Sequence, residues 1–316
     1  MKKVKYIRFV IISLSISSLL FSCSKEEGNP TPDPYVEDFV NGINADSLQK
    51  KVQWLQDMGT RFTLNDNRKE VANKIKDRFI SYGYTNTTLD SFFLQRTYSG
   101  ITYYTWQYNV IAKINGAVDP DNVCILGGHY DDYSKNSDPF ITAYGANDNA
   151  SGTAATLEVA RVLKSKNFSP KTTIEFICFA AEELGLYGSS DYSLKSYTSS
   201  KKIRFMLNND MIAFWPSDQS NMKVNIIDYS NSHDLRESAE TACQLYTSLG
   251  TNNDSTYYKS SDSYPFYQRG FKAIFFISDA DDPNYHTTSD LVSNCNFTFC
   301  KEVTKVSCAL LVAKNK

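Results

Sequence analysis

Histidine is almost missing from this chain: His129, His233 and His286 are the three among 316 residues. No Cys-x-x-C pair occurs among the seven cysteines, which argues against a zinc site built from thiolates. No stripe of lysine and arginine is visible, which argues against nucleic acid as a partner. No internal repeat and no second linker appear, so the chain beyond its N-terminal segment reads as one large domain. The uninterrupted apolar or small-residue run from Phe9 to Phe21 is too short for a comfortable transmembrane helix. It has the length of a signal-peptide core instead.

What stands at the N-terminus fits that reading. Lys2, Lys3, Lys5 and Arg8 form a basic leader before the apolar run. The run ends in Leu20-Phe21-Ser22-Cys23, which resembles a bacterial lipobox and implies cleavage before Cys23 and lipidation of that residue. One acyl chain binds a membrane only marginally, so stable anchoring takes several. Residues 1–22 are thus expected to be a signal peptide, and residues 23–38 a lipidated cysteine with a flexible tether. Residues 39–316 are expected to form a single catalytic domain. Ser24 to Pro34 is rich in Lys, Glu, Gly, Asn and Pro, as a tether would be. The resemblance places the protein in the cell envelope, lipid-anchored at the outer membrane. Ser24-Lys25-Glu26-Glu27 is similar to the surface-export signal of some Gram-negative lipoproteins. Removing residues 1–22 takes away four positive charges and no negative ones, so the net charge moves from −2 to −6.

Export makes disulfides possible. Cys124 and Cys178 sit inside apolar strand-like runs and read as buried small hydrophobes. Cys243, Cys295, Cys300 and Cys308 lie in the C-terminal third, and Cys295–Cys300 is the first pairing to expect.

Periodicity predicts helices over 46–58, 66–82, 151–166, 186–197, 233–249 and 298–313. Residues 88–114 suggest two or three strands, and further strands are expected at 123–126, 174–181, 205–207, 224–227 and 273–277. Strands alternating with helices predict an α/β fold with a mixed, mainly parallel sheet covered by helices on both faces.

The polar residues at the strand ends carry the chemistry. The 123–126 strand stops at Gly127-Gly128 and is followed by His129-Tyr130-Asp131-Asp132. Gly145-Ala146-Asn147-Asp148-Asn149-Ala150-Ser151-Gly152 leads into the next helix, where Asp148 alone could simply be a cap. Glu182-Glu183 ends an apolar run, a costly place for two charges unless they are used. Asn208-Asn209-Asp210 and Tyr285-His286-Thr287-Thr288-Ser289-Asp290 follow two more strands. In a doubly wound sheet such ends converge on one edge, where open α/β folds bind their ligands. His233, at a helix start, reads as an exposed residue outside this set.

Neutral imidazole and carboxylate oxygens are the ligands of catalytic zinc, and two nearby ions need a shared carboxylate. His129, Asp148 and Asp210 can serve one ion; Asp148, Glu183 and His286 can serve the other. Glu182 is left beside the pair as a general base that takes a proton from water held between the ions and passes it to a leaving amine. Asp131, two residues from His129, can hold the other imidazole nitrogen. Asp290 is a candidate for similar support near His286.

These blocks resemble the di-zinc exopeptidases of the bacterial leucyl aminopeptidase type, whose relatives include glutamate carboxypeptidase-like proteins and glutaminyl cyclases. Five of them fall in the family's order across residues 127–290: Gly-Gly-His-Tyr-Asp-Asp, Asn-Asp-Asn-Ala-Ser-Gly, Ala-Glu-Glu-Leu-Gly-Leu-Tyr-Gly-Ser, Asn-Asn-Asp-Met and Tyr-His-Thr-Thr-Ser-Asp. The resemblance implies metal ligands at His129, Asp148, Glu183, Asp210 and His286, a base at Glu182, two Zn2+ per chain and peptide substrates. It also implies a cis peptide bond between Asp148 and Asn149. The activity implied is removal of N-terminal residues from peptides outside the cytoplasm.

One departure concerns specificity. Family members often carry Ser-Asp-His where this chain has Ser261-Asp262-Ser263, before Tyr264-Pro265-Phe266. Tyr257, Tyr258, Tyr264 and Phe266 suggest an aromatic-walled pocket, though they could equally be core. The alternative activity is glutaminyl-peptide cyclisation on a single zinc. Cyclase relatives usually insert aromatic residues after the paired carboxylates, and here only Leu184-Gly185-Leu186 intervenes. A non-catalytic domain on the same fold is a third reading; such domains generally lose ligands, and none is missing here.

Overall fold

The computed structural model of the chain describes Met1, residues 30–216 and residues 220–316. The leader, Cys23 and the tether up to residue 29 lie outside the described residues. In chain order the elements are α1 (Pro34–Val40), α2 (Ala45–Gln56), α3 (Arg68–Ser81), β1 (Thr88–Tyr98), β2 (Ile101–Ile114) and β3 (Asp119–His129). There follow α4 (Ser151–Ser165), β4 (Thr172–Phe179), α5 (Tyr187–Thr198), β5 (Lys202–Asn209) and β6 (Lys223–Asp228). The last are α6 (His233–Tyr246), β7 (Gly250–Asn252), α7 (Ser263–Gln268), β8 (Ala273–Ser278) and α8 (Phe297–Ala313).

The strands form one mixed sheet of eight in the order β1-β2-β4-β3-β5-β8-β6-β7. Its centre, β4-β3-β5-β8, is parallel, while β1, β2 and β6 bring antiparallel pairings toward the edges. Successive side chains on a strand point to opposite faces, and the central strands are apolar on both. Cys124 and Leu126 of β3 join the larger core, with α2, α3, α4 and α8. Val123 and Ile125 join the smaller core, where Phe179, Tyr192 of α5 and Phe266 of α7 meet. This is the α/β architecture, helices on both faces, that the strand and helix alternation predicts.

Connectivity makes the crevice. From β3 the chain crosses through α4 to β4 on one side, then returns through α5 to β5 on the other side of β3. Helices leaving a strand's end in opposite directions open a gap there, the switch point at which such sheets bind ligands. Glycine lets the elements close around it. A Cβ on Gly152, at the start of α4, would lie 2.0 Å from the Asn209 carbonyl oxygen, and one on Gly128 would lie 2.7 Å from the same atom. The end of β5 thus packs directly against the backbone of β3 and α4.

Three features depart from the sequence expectations. Residues 34–38, assigned to the tether, belong to α1, whose Val36, Phe39 and Val40 are buried. Proline in its first turn and the Asp33 side-chain cap start that helix, signals hidden in a Pro- and Asp-rich stretch. Short α7 and β7 were not anticipated. Cys295 and Cys300 are not bridged; all six described cysteines are free. Cys300 is buried inside α8, whereas Cys295 precedes the helix and turns its thiol toward the Leu291 carbonyl at 3.6 Å.

Gly152→Ala is expected to cost about 2–4 kcal/mol, because backbone rather than a flexible side chain must move. Urea unfolding of the variant against the parent reads this directly, and an unchanged midpoint would contradict the close approach.

Candidate metal centre

Four parallel strands deliver the polar residues. β3 ends at His129. β4 runs out at Phe179, two residues before Ala181, and Glu182 and Glu183 follow. β5 ends at Asn209, next to Asp210, and His286 lies in the loop beyond β8. Asp148 comes from the turn 146–150 between β3 and α4, and the Asp148–Asn149 peptide bond is cis. Ala181, Met211 and His286 hold φ of 57°, 54° and 57°. This left-handed region is costly for residues with side chains and clusters at functional sites.

The Asp148 carboxylate lies between the two imidazoles. Its Oδ1 is 3.3 Å from His129 Nε2 and its Oδ2 is 3.0 Å from His286 Nε2. His129 Nε2 is also 3.4 Å from Asp210 Oδ1, and His286 Nε2 is 2.8 Å from Glu183 Oε2. Glu182 is adjacent, with its Oε2 3.8 Å from His129 Nε2. The residues proposed from sequence as ligands and base therefore meet at one place, and all line a cavity of about 240 Å³.

Neighbouring groups fix them. Asp131 is buried, and its carboxylate accepts the backbone N–H of Glu182 (3.0 Å) and of Glu183 (3.2 Å) together with the Thr63 hydroxyl (2.6 Å). Its carboxylate is 3.6 Å from His129 Nδ1, which lies closer, at 3.1 Å, to the Asp131 backbone carbonyl. Asp131 thus ties the glutamate pair down more directly than it holds the imidazole. Asp290 acts away from His286: its two oxygens accept the backbone N–H groups of Asn147 (2.7 Å) and Asp148 (2.9 Å). Ser261 donates to Asp210 Oδ2 (2.6 Å) and accepts from Asn208 Nδ2 (2.5 Å). Arg61 is fully buried, 3.2 Å from Asp132, and donates to the carbonyls of Tyr130, Tyr144 and Gly145.

Sequence reasoning passed over Arg61 and Thr63 and met Ser261 only as part of the Ser261-Asp262-Ser263 block, because nothing in their local pattern shows what they meet. His233 is exposed at the start of α6, as expected, with Asp228 beside it. Of the four aromatics expected in the pocket, only Tyr257 lines it. Phe266 faces the core against Phe179 and Tyr192, and Tyr264 packs near Tyr229 and Tyr267. Ser263 is buried, 2.8 Å from the Tyr229 hydroxyl.

The electrostatics are those of a site built for cations. Burial pushes the Glu182 and Glu183 carboxyls well above the ordinary range, with His129 pulling the other way. Burial likewise raises Asp210, against His129. For Asp148 burial acts upward, but hydrogen bonding to His129 and His286 outweighs it and holds the carboxyl low. Burial opposes charge on His129, yet the Asp210 and Glu182 carboxylates outweigh it and raise its proton affinity. No lysine or arginine is among the described residues lining the cavity. Glu183 Oε1 and Asp210 Oδ1 are buried without a hydrogen-bond partner, an expensive state for a carboxylate unless a cation completes it. Zinc bonds of about 2.0–2.1 Å put tetrahedral donors about 3.3 Å apart, close to the 3.3 and 3.4 Å around His129 Nε2. Donor types and spacing both fit a divalent metal.

Comparison with known proteins agrees with this geometry. The model of peptidase family M28 matches residues 109–311, more than half of the chain. A probable aminopeptidase of Saccharomyces cerevisiae is 26% identical, with 97% of this chain and 85% of that protein covered. A probable leucine aminopeptidase of Trichophyton verrucosum is 34% identical over 63% of this chain, which spans only 54% of that relative's length. Among solved structures, an aminopeptidase from Aneurinibacillus sp. strain AM-1 superposes with a TM-score of 0.72 at 17% identity, covering 89% of this chain and 96% of its own. A glutaminyl cyclase from Bacteroides thetaiotaomicron gives 0.66 at 18% identity, covering 85% and 98%. At these identities the structural likeness speaks for the fold.

Asp290→Asn replaces one of two acceptors facing the Asn147 and Asp148 N–H groups with a donor. Loss of such outer support typically weakens metal binding about 10–100-fold. That drop is the expected result of zinc titration against a competing chelator, with the circular dichroism spectrum unchanged; parental affinity would contradict the role drawn for Asp290.

Proposed function

The chain belongs to peptidase family M28, and from that premise we propose that it is a zinc-dependent aminopeptidase with two metal positions sharing Asp148. The observation that carries the reading is the Asp148 carboxylate, each oxygen of which faces a different imidazole. His129 and Asp210 would complete one position, and Glu183 and His286 the other. When bound, the ions polarise the scissile carbonyl and lower the pKa of water at the site.

The chain's own residues supply the rest. Glu182 is next to the centre and is held there through its backbone N–H on Asp131. It takes the proton of the attacking water and returns it to the nitrogen of the departing peptide, which leaves as a neutral amine. Its Oε2 is farther from His129 Nε2, at 3.8 Å, than the Asp210 oxygen at 3.4 Å, which supports Asp210 as ligand and Glu182 as base. Asp131 holds the backbone of both glutamates at the centre. Burial of the centre limits bulk water and strengthens each electrostatic contact.

Residues 1–38 extend the proposal to location. The apolar run, the Leu-Phe-Ser-Cys sequence and the polar stretch behind it support an enzyme anchored in the cell envelope by lipid on Cys23 and acting on peptides there.

Glu182→Gln is expected to lower kcat on aminoacyl anilides by about 10²–10⁴-fold while metal content stays at the parental value, two per chain by elemental analysis. An active variant would overturn the role of Glu182. One metal per chain, with pyroglutamyl product from N-terminal glutaminyl peptides, would move the protein to the cyclotransferases. Cys23→Ala in the full-length chain, expressed in a bacterial host, is expected to abolish incorporation of labelled palmitate and move the protein from the detergent to the aqueous phase. Retained labelling would contradict the anchor.

A further inference from the structure

The cavity that holds the centre continues outward into a mouth of distinct composition. Four aspartates line it: Asp254, after β7, and Asp279, Asp281 and Asp282, in the loop after β8. One side of the same cavity is apolar, formed by Met211, Phe275 and Ile277, which pack together, with Tyr257 beside them. No lysine or arginine is among the described residues lining this space. Lys135 lies over the Tyr285 ring, 4.8 Å from its centroid, and is not part of the lining.

Charge counting separates the mouth from the centre. Asp148, Glu182, Glu183 and Asp210 carry four negative charges, which two divalent ions match. The aspartates of the mouth stay unmatched. They are only partly engaged within the protein: Asp279 accepts from Asn252, Asp282 from Asn147 and the Asn284 backbone, and Asp254 from Thr256. Asp281 is exposed and has no side-chain partner among the described residues. The free α-ammonium group of any aminopeptidase substrate accounts for one positive charge, fewer than the mouth offers to receive. An apolar wall leading to carboxylates matches a side chain with an aliphatic stem and a cationic end.

We propose that the cleft selects peptides whose first residue is lysine or arginine, the mouth aspartates receiving the charged end and the Met211–Phe275–Ile277 wall the stem. This rests on the aminopeptidase reading above. It differs from the apolar preference that an aromatic pocket would give, since three of the four aromatics expected there are turned elsewhere.

The test compares kcat/KM of the zinc-loaded enzyme on arginyl, lysyl, leucyl and glutamyl p-nitroanilides at low and high salt, in the parent and in the D279N/D281N double variant. An exposed ion pair contributes up to about fivefold in an equilibrium constant, so two together multiply to at most about 25-fold, and roughly tenfold lies within that range. The arginyl and lysyl substrates are expected to exceed leucyl by roughly tenfold or more at low salt. That ratio is expected to shrink with salt and to fall roughly tenfold in the double variant. A leucyl preference in the parent, or an equal loss on all substrates in the variant, would overturn the inference. A second readout needs no turnover: calorimetric titration of L-argininamide and L-leucinamide into the Glu182→Gln protein. Argininamide is expected to bind about tenfold tighter, and equal affinities would overturn the inference. If the parent hydrolyses none of the anilides, the aminopeptidase reading falls, and the titration still decides what the cleft prefers.

Discussion

Negative charge gathered where water cannot dilute it is the constraint on which the rest of this structure depends. Carboxylates from two strand ends and one turn are drawn around two imidazoles, with no lysine or arginine among the described residues lining the site. Such a cluster repels itself and strains for solvent. It persists because each member is bonded from behind. Asp131 accepts the backbone of both glutamates, Asp290 accepts the backbone that carries Asp148, and Ser261 donates to Asp210. The close packing at Gly128 and Gly152 leaves the sheet edge little freedom to spread and relieve the repulsion.

A second layer of charge stands behind this one with opposite character. Arg61 and Asp132 form a fully buried ion pair, and the guanidinium also serves four backbone carbonyls. The pair is compensated within the protein, and its geometry is closed. The centre, by contrast, keeps carboxylate oxygens without partners. Adjacent residues of one turn, Asp131 and Asp132, thus belong to two regimes, one braced against the glutamates and one neutralised by arginine.

Much of the fold was legible in the sequence because its strongest signals are short. Apolar runs such as Phe176 to Ala181 are continuous because both sheet faces are covered, and their ends are marked by glycine or acid. The convergence of His129, Asp148, Glu182, Glu183, Asp210 and His286 followed from topology alone: parallel strands deliver their ends to one edge. What the sequence concealed depends on long-range meeting. Nothing around Thr63 announces a partner at Asp131, and nothing in Ser289-Asp290 indicates that the carboxylate reaches back to residues 147 and 148. The choice between pocket and core for the aromatics of 257–266 stayed open in the sequence for the same reason. Tyr264 and Phe266 lie on α7, a helix whose orientation depends on the smaller core, and burial against Phe179 and Tyr192 claims Phe266. The disulfide expectation rested on spacing alone, whereas Cys300 is buried within α8 and the Cys295 thiol is turned to the Leu291 carbonyl.

The distance along the chain between Asp148 and Asp290 has a consequence for biogenesis. Synthesis proceeds from the N-terminus, and the aspartate that orders the 147–148 backbone, like the imidazole of His286, is made after β3, β4 and β5. Chain lengths that end before residue 286 contain β3, β4 and β5 and can begin the sheet, but they lack one imidazole and the brace for the Asp148 backbone. Closure of so long a loop also comes late in folding, since its entropy must be met before its contacts form. A chain made or folded only as far as β5 therefore carries an incomplete centre, which waits for residues 286 and 290 to take their places.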